Sequence, residues 1–457
     1  MSAITQFLDA PESHRMMQRL RPASTPEQLR QALIWACWTT LVEPGDGDAG
    51  ALIAALGAEA ALQFAESANP QTAHEELTER AASASKQSSL PHEPRDWQAA
   101  LSRWRPRLDA VRIRALLHGA YSVGARFTFR DDLGWPAAID DLGIHAPLGL
   151  WVRGDLGVVG TAPINVALVG SRASSAYGDS VAGELAAAAS DAGIAVVSGG
   201  AYGIDAQAHR VTLASNGVTI AVLAGGVDRL YPAGNRDLLE RIIASGAVIS
   251  ELPCGTAPTR WRFLQRNRLI AALTQATVLV EAGARSGAMN TANHALTLGR
   301  AVGAVPGPIT SSTSVGCHRL LREHQAELIS GPSDLLALCA DAAAPTLFGT
   351  NPLADVVAAA STQPAAVTNE RGSVSGRHSA GATGRGARNG TGALIDSGAL
   401  DTRLVRTLDA LTLRSGRTLN DLVTRSGLSA ADLRAGLAEL ELLGHATQQA
   451  GKWRRCA

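Results

Sequence analysis

Short apolar runs alternate with helical stretches between residues 164 and 209, and each run stops at small or charged residues. The run INVALV stops at Gly170, with Ser171 and Arg172 after it. The run AVVS stops at Ser198, with Gly199, Gly200 and Gly203 after it. Continuous apolar runs of this length predict strands buried on both faces of a parallel sheet. A helix is predicted between them, from near Asp179 to Gly193. Further runs at 219–223, 247–250, 277–280 and 301–305 end at Gly225-Gly226, Glu251, Glu281 and Pro306-Gly307. The prediction is an α/β fold whose parallel sheet gathers Gly, Ser, Arg and Glu at the strand ends. Ligands of open α/β sheets bind outside those ends. Small residues there let a backbone approach a ligand, and phosphate is the ligand that such a rim suits.

The flanks carry other periods. Residues 1–120 read as a helical domain, with apolar helices at 28–41, at 52–64 interrupted at Gly57, and at 97–118. Its tryptophans, Trp35, Trp38, Trp97 and Trp104, fall at core spacing. The stretch 75–94 reads as a loop. Residues 121–338 form the sheet domain, entered through a short helix near Trp135-Pro136 and a strand at 147–154. From 339 to 399 Ala, Gly, Ser, Thr and Pro dominate without apolar period, which predicts a flexible linker. Residues 400–457 predict three helices capped near Thr418 or Asn420 and at Ser429, then a two-stranded wing ending in Lys452, Arg454 and Arg455. Helix, helix-turn-helix and wing is the winged-helix order, used to bind either DNA or protein.

Composition narrows the partners. Basic and acidic residues balance at 41 each, so any nucleic-acid site is a local patch rather than a global field. Lys86 and Lys452 are the only lysines, so the basic chemistry is that of arginine, whose fork suits phosphate. The five cysteines are scattered and form no CxxC pair, which fits a reducing cytoplasm and disfavours zinc. The apolar run 32–42 is too short to span a bilayer, so no membrane partner is expected.

The chemistry concentrates at three places. Arg172, directly after Gly170-Ser171, reads as a phosphate contact or as a salt bridge to a rim carboxylate such as Glu251 or Glu281. Gly199 and Gly200 open a turn in which Asp205 is a cap and His209 a packed histidine. The run RWRFLQRNR, 260–268, interleaves four arginines with two aromatics, as a single strand's phosphates and exposed bases require. In a helix its Arg262 and Arg266 share a face. The competing reading buries Trp261 and Phe263 and leaves the arginines on the surface. Ser286-Gly287 suits another phosphate-holding helix start. No GxxxxGK[ST], HExxH or GxSxG occurs and the turn after Val169 is not GxGxxG, so the rim reads as built for holding, with no cofactor and no catalytic residue expected.

Taken together, these residues resemble the DNA-processing protein A (DprA/Smf) family. The matching pieces, in family order, include Gly170-Ser171-Arg172, Ser198-Gly199-Gly200-Ala201, Gly203-Ile204-Asp205, Tyr231-Pro232 with Asn235, Phe263 with Arg266-Asn267-Arg268, Glu281, Ser286-Gly287 and Pro306-Gly307. Tyr202 and Leu264 depart from the family pattern. The resemblance implies an extended Rossmann-like core that binds single-stranded DNA, a homodimer, and transfer of the strand to RecA recombinase with displacement of single-strand-binding protein. It implies a mediator of recombination and natural transformation that is not an enzyme. Carried over by position, Gly170, Ser171, Arg172, Gly199, Gly200, Arg262, Phe263, Arg266, Asn267, Arg268, Ser286 and Gly287 would form the DNA site. The alternative is a nucleotide hydrolase of the lysine-decarboxylase-like type, whose PGGxGTxxE pattern is absent. A protein scaffold acting through the terminal domains is a third class.

Overall fold

The computed structural model describes residues 3–73, 75–77, 95–161, 164–343 and 401–456. The expected loop at 75–94 and the expected linker fall mostly outside these residues. At the linker's start the expectation needs correction. Helix Pro332–Ala343 runs past position 339 and buries Cys339 and Ala340.

The predicted apolar runs become strands. In chain order they are β1 (Arg126–Thr128), β2 (Leu150–Gly154), β3 (Asn165–Val169), β4 (Ala195–Ser198), β5 (Thr219–Val222), β6 (Ala247–Ser250), β7 (Ala276–Leu279), β8 (Ala301–Ala304) and β9 (Glu327–Leu328). They form one nine-stranded sheet in the order β1-β2-β6-β5-β4-β3-β7-β8-β9. Strands β6 through β9 pair in parallel, and β2 joins β6 antiparallel. Every residue of β3 is buried, as its unbroken apolar sequence demands. Alternate side chains serve two layers: Val166 and Leu168 pack in one core, Ala167 and Val169 in the other. Strand β3 lies between β4 and β7, so the strand order reverses there. That reversal opens the crevice at which α/β sheets bind ligands.

The N-terminal helices are Ala3–Asp9, Pro11–Leu20, Pro26–Leu41, Gly47–Leu56, Ala58–Ser67, Trp97–Trp104 and Ala110–Ser122. Thr25 and Gln28 form a capping box, and Asp46, Asp96 and Asp109 cap three further helices. The predicted single helix at 97–118 is broken at Pro106, where a proline removes a donor, and restarts at the Asp109 cap. Trp38 and Trp104 meet edge to face at 5.7 Å in the core. That core continues into Trp151, Ala221, Leu223 and Leu239 of the sheet region. The bundle is therefore packed on the sheet through a shared apolar cluster, and helix Ala110–Ser122 crosses the expected boundary at 120. No single helix among the described residues is long and apolar enough to cross a membrane.

The C-terminal segment folds as helices Thr402–Ala410, Leu419–Ser426 and Ala430–Leu442, followed by the antiparallel pair β10 (Ala446–Gln449) and β11 (Lys452–Arg455). Thr418 and Ser429 cap the second and third helices. This unit docks against both the sheet region and the N-terminal bundle. The Trp261 amide donates to Asp409 at 3.0 Å, and Arg107 donates to the Thr424 carbonyl at 2.9 Å.

Candidate nucleic-acid interface

Helix Arg260–Ala272 sets the geometry of the site. Thr259 caps it by accepting the Arg262 amide hydrogen. Arg262 and Arg266 share a face, but that face is turned inward. Arg262, Arg266 and Arg268 are 9%, 6% and 4% exposed, while Trp261 and Phe263 are half-buried. Both sequence readings had these arginines facing outward, and the arrangement is the reverse.

Each buried guanidinium has a distinct acceptor set. Arg262 forks onto Glu43 at 2.7 and 3.0 Å and donates to the Ala257 carbonyl. Arg268 forks onto Glu251 with two contacts of 2.8 Å and donates to the His145 carbonyl. Arg266 donates Nη1 to the carbonyls of Gly199 and Val222, and Nε to Asn267 Oδ1. Burial holds its pKa down to about 10; Asp205 opposes this and Arg172 adds to it. A planar, weakly hydrated fork is the cation best suited to such positions. The expected places of Arg262 in the DNA site and of Arg268 as a phosphate contact do not fit this geometry, because Glu43 and Glu251 hold the two side chains outside the crevice cavity.

Gly199 and Gly200 need the same correction. The Gly199 amide donates to Asp205 at 3.1 Å, and the Gly200 carbonyl accepts from Asn235. Both glycines are buried. The turn is shaped for protein contacts. A Cβ on Gly203, at φ 73°, would stand 2.2 Å from the Ser171 carbonyl oxygen. This close approach brings the loops after β3 and β4 together, with the Ile204 amide donating to Ser171 O at 3.2 Å.

The remaining predicted residues do converge. Gly170, Ser171, Arg172, Phe263, Arg266, Asn267, Ser286 and Gly287 line one cavity of about 990 Å³ at the β3/β7 reversal. Phe263 is its hub. The Arg172 guanidinium lies 5.0 Å from the Phe263 ring centroid, that of Arg266 5.9 Å, and the Tyr231 ring 5.7 Å. Arg172 is exposed. It makes no salt bridge among the described residues, because both rim carboxylates are occupied. Glu251 holds Arg268, and Glu281 accepts from the Ser175 amide and hydroxyl and from Thr313. The start of helix Gly287–Thr297, capped by Ser286, forms the far wall and favours negative charge.

Asp205 sits in the floor as a turn cap. Burial raises its pKa, while Arg266, the Ala201 and Gly199 amides and Arg172 act in the other direction. His209 packs below with Nδ1 2.7 Å from Thr219 Oγ1. Burial, then Arg266, lowers its pKa to about 3, so it is neutral near pH 7. Asn290, expected with Gly287 at the phosphate-holding helix start, also lines the cavity; Tyr231 and Arg260, noted in the sequence but left out of the expected site, join it, and sequence reasoning missed Arg285. Arg260 opens the basic and aromatic run and was legible there; Tyr231 reaches the site from a loop after β5 that no local period marks.

The cavity can hold a flat ring against Phe263 and an anion beside Arg172. Among the described residues no group of three or more His, Cys, Asp or Glu could hold a metal ion.

Comparison with known proteins gives the following. The family model for DNA recombination-mediator protein A matches residues 126–340, and that for the DprA winged helix domain matches 399–452. A putative DNA processing protein DprA from Mycobacterium tuberculosis is 52% identical over 223 residues, covering 47% of this chain and 57% of the relative. The chain thus spans little more than half the length of that relative. The DNA processing protein DprA of Streptococcus pneumoniae is 38% identical over 211 residues, covering 46% of this chain and 73% of the relative. A solved structure described as showing the single-stranded DNA binding mode of DNA processing protein A from Helicobacter pylori aligns with TM-score 0.43 and 28% identity, covering 47% of this chain and 96% of that one.

Proposed function

The chain belongs to the family of DNA recombination-mediator protein A, known as DprA or Smf, and from that premise we propose that it binds single-stranded DNA in the cavity at the β3/β7 reversal. One observation carries this reading: the exposed Arg172 guanidinium lies over the Phe263 ring, with the Tyr231 ring beside it. A single strand needs a stacking surface for bases and cations for phosphates at the spacing of a nucleotide, and this hub supplies both types of group. The Ser286-capped helix start adds a favourable potential for a second phosphate. Single-strand selectivity follows, because duplex bases are stacked internally and cannot lie on Phe263.

In this reading the protein acts in the cytoplasm as a recombination mediator that holds and protects the strand. It hands the strand to RecA recombinase, working as a homodimer and exchanging DNA with single-strand-binding protein. These partners rest on the family resemblance. Binding, with no bond broken, is the proposed activity.

The test is titration of fluorescent oligo-dT, with a duplex control, across a salt series for wild type, Arg172→Ala and Phe263→Ala. Loss of one phosphate contact makes the log–log salt slope shallower by about 0.7. Loss of the stacking ring weakens binding by about 1–3 kcal/mol at every salt concentration. Unchanged binding in both folded variants would reject the cavity as the strand site.

A further inference from the structure

A second cavity, of about 640 Å³, lies where the N-terminal bundle, the segment before helix Arg260–Ala272 and the C-terminal unit meet. Its charge does not balance. Glu43 is the counter-ion of both Arg107, at 2.6 Å, and Arg262, at 2.7 Å. Arg406 adds a third guanidinium to the same wall; among the described residues it donates to the Ser426 carbonyl and lies over the Trp261 ring, 5.7 Å from its centroid. Asp421 is likewise shared, between Arg417 and Arg425 at 3.1 Å each. Asp409 is turned to the Trp261 amide. Arg112, on the bundle wall, has no hydrogen bond or ion pair among the described residues. The Arg417 Nε is buried without a partner. Cations on three separate parts of the chain thus converge on open space with too few carboxylates to neutralise them.

Like charges brought together in a partly buried site are unfavourable unless an anion joins them. Burial, and then Arg107, Arg262 and Arg425, push the Arg112 pKa down, which is the response of a cation facing cations. Arginine forks match the oxygens of a phosphate group in both geometry and charge. We propose that this three-way junction is a phosphate-binding site, with Arg112, Arg406 and Arg425 as the groups that receive the oxygens. It is a different place from the strand cavity and stands without that assignment. The two share the wall formed by Pro258, Thr259, Trp261 and Asp409. The phosphate is therefore either one of a strand leaving the first cavity or that of a free nucleotide.

The experiment is calorimetric titration of the full chain with inorganic pyrophosphate, at ionic strength held constant with chloride. Wild type binds, and Arg112→Gln and Arg425→Gln each bind about tenfold more weakly, the loss of one charge-assisted hydrogen bond. Arg112→Lys, which keeps the charge, retains most of the affinity, and Arg322→Ala, outside both cavities and exposed, binds as wild type does. Displacement of pyrophosphate by oligo-dT identifies the strand as the source, and displacement by thymidine monophosphate alone identifies a nucleotide. Either outcome supports the site. Absence of pyrophosphate binding, or binding kept unchanged in both glutamine variants, overturns it.

Discussion

Arg266 and Gly199 are built around one another. The arginine's Nη1 donates to the Gly199 carbonyl at 2.7 Å, and a Cβ on that glycine would stand 2.1 Å from the same nitrogen. The helix that carries the basic run is thereby pinned to the turn after β4, and the cavity floor is a product of that contact.

Gly199→Ala should therefore be costly. The guanidinium is buried and bonded on both sides, so it cannot swing aside. Overpacking of this kind costs about 1–3 kcal/mol. Urea denaturation should show a lower midpoint with an unchanged slope. An unaltered midpoint would mean that the turn relaxes freely.

Two arginines in the same neighbourhood should behave oppositely. Arg268→Ala strands the Glu251 carboxylate, and breaking a buried pair costs about 3–5 kcal/mol. Arg172→Ala removes an exposed side chain and should shift the thermal midpoint little. The salt dependence of oligo-dT binding should reverse the ranking, changing in Arg172→Ala and not in folded Arg268→Ala.

Glu43 should link stability to acid. Burial pushes its pKa up, but Arg262 and Arg107 overcome this and hold it near 2, below the ordinary 4.5. The unfolded chain takes up this proton first as pH falls. The pair's contribution is present in full above about 4.5 and is lost toward 2. Stability measured by urea between pH 5 and 2 should fall more steeply in wild type than in Glu43→Gln. Glu43→Gln should also start lower at pH 7 and should release the C-terminal unit to limited proteolysis, since Arg107 bridges Glu43 to Thr424.

His209 governs a different window. It stays neutral when folded down to about pH 3, whereas the unfolded imidazole protonates near 6.5. Stability is full above 6.5 and falls as pH drops from there, by up to about 1.4 kcal/mol per unit. In His209→Gln the slope between pH 6.5 and 5 should be shallower by nearly one proton. Equal slopes would place the neutral histidine's role elsewhere.

Much of the architecture was legible along the chain. The strands at 165–169, 195–198, 219–222, 247–250, 276–279 and 301–304 announce themselves as apolar runs closed by Gly, Pro or charged residues. Ser429 and Thr418 announce the C-terminal caps. These are effects between near neighbours, so adjacent residues encode them. The candidate site was legible in part. Gly170-Ser171-Arg172 and Ser286-Gly287 follow strands and had to lie at the sheet's ligand-binding edge. Phe263 was marked by its place among arginines.

The direction in which RWRFLQRNR faces could not be read in this way. A helix period shows that Arg262 and Arg266 share a side, but not whether that side meets solvent. The answer lies in Glu43, which stands 219 positions before Arg262, and in carbonyls exposed at the ends of β4 and β5. A buried guanidinium is tolerable only where the fold brings acceptors to it, and those acceptors come from other strands and from the bundle. The sequence thus settled which elements form, where the strand ends lie and which family the chain resembles. Folding in three dimensions settled which arginines hold the protein together, leaving Arg172 to face the cavity and Arg112 to face the junction, because charge pairing is a property of space rather than of spacing.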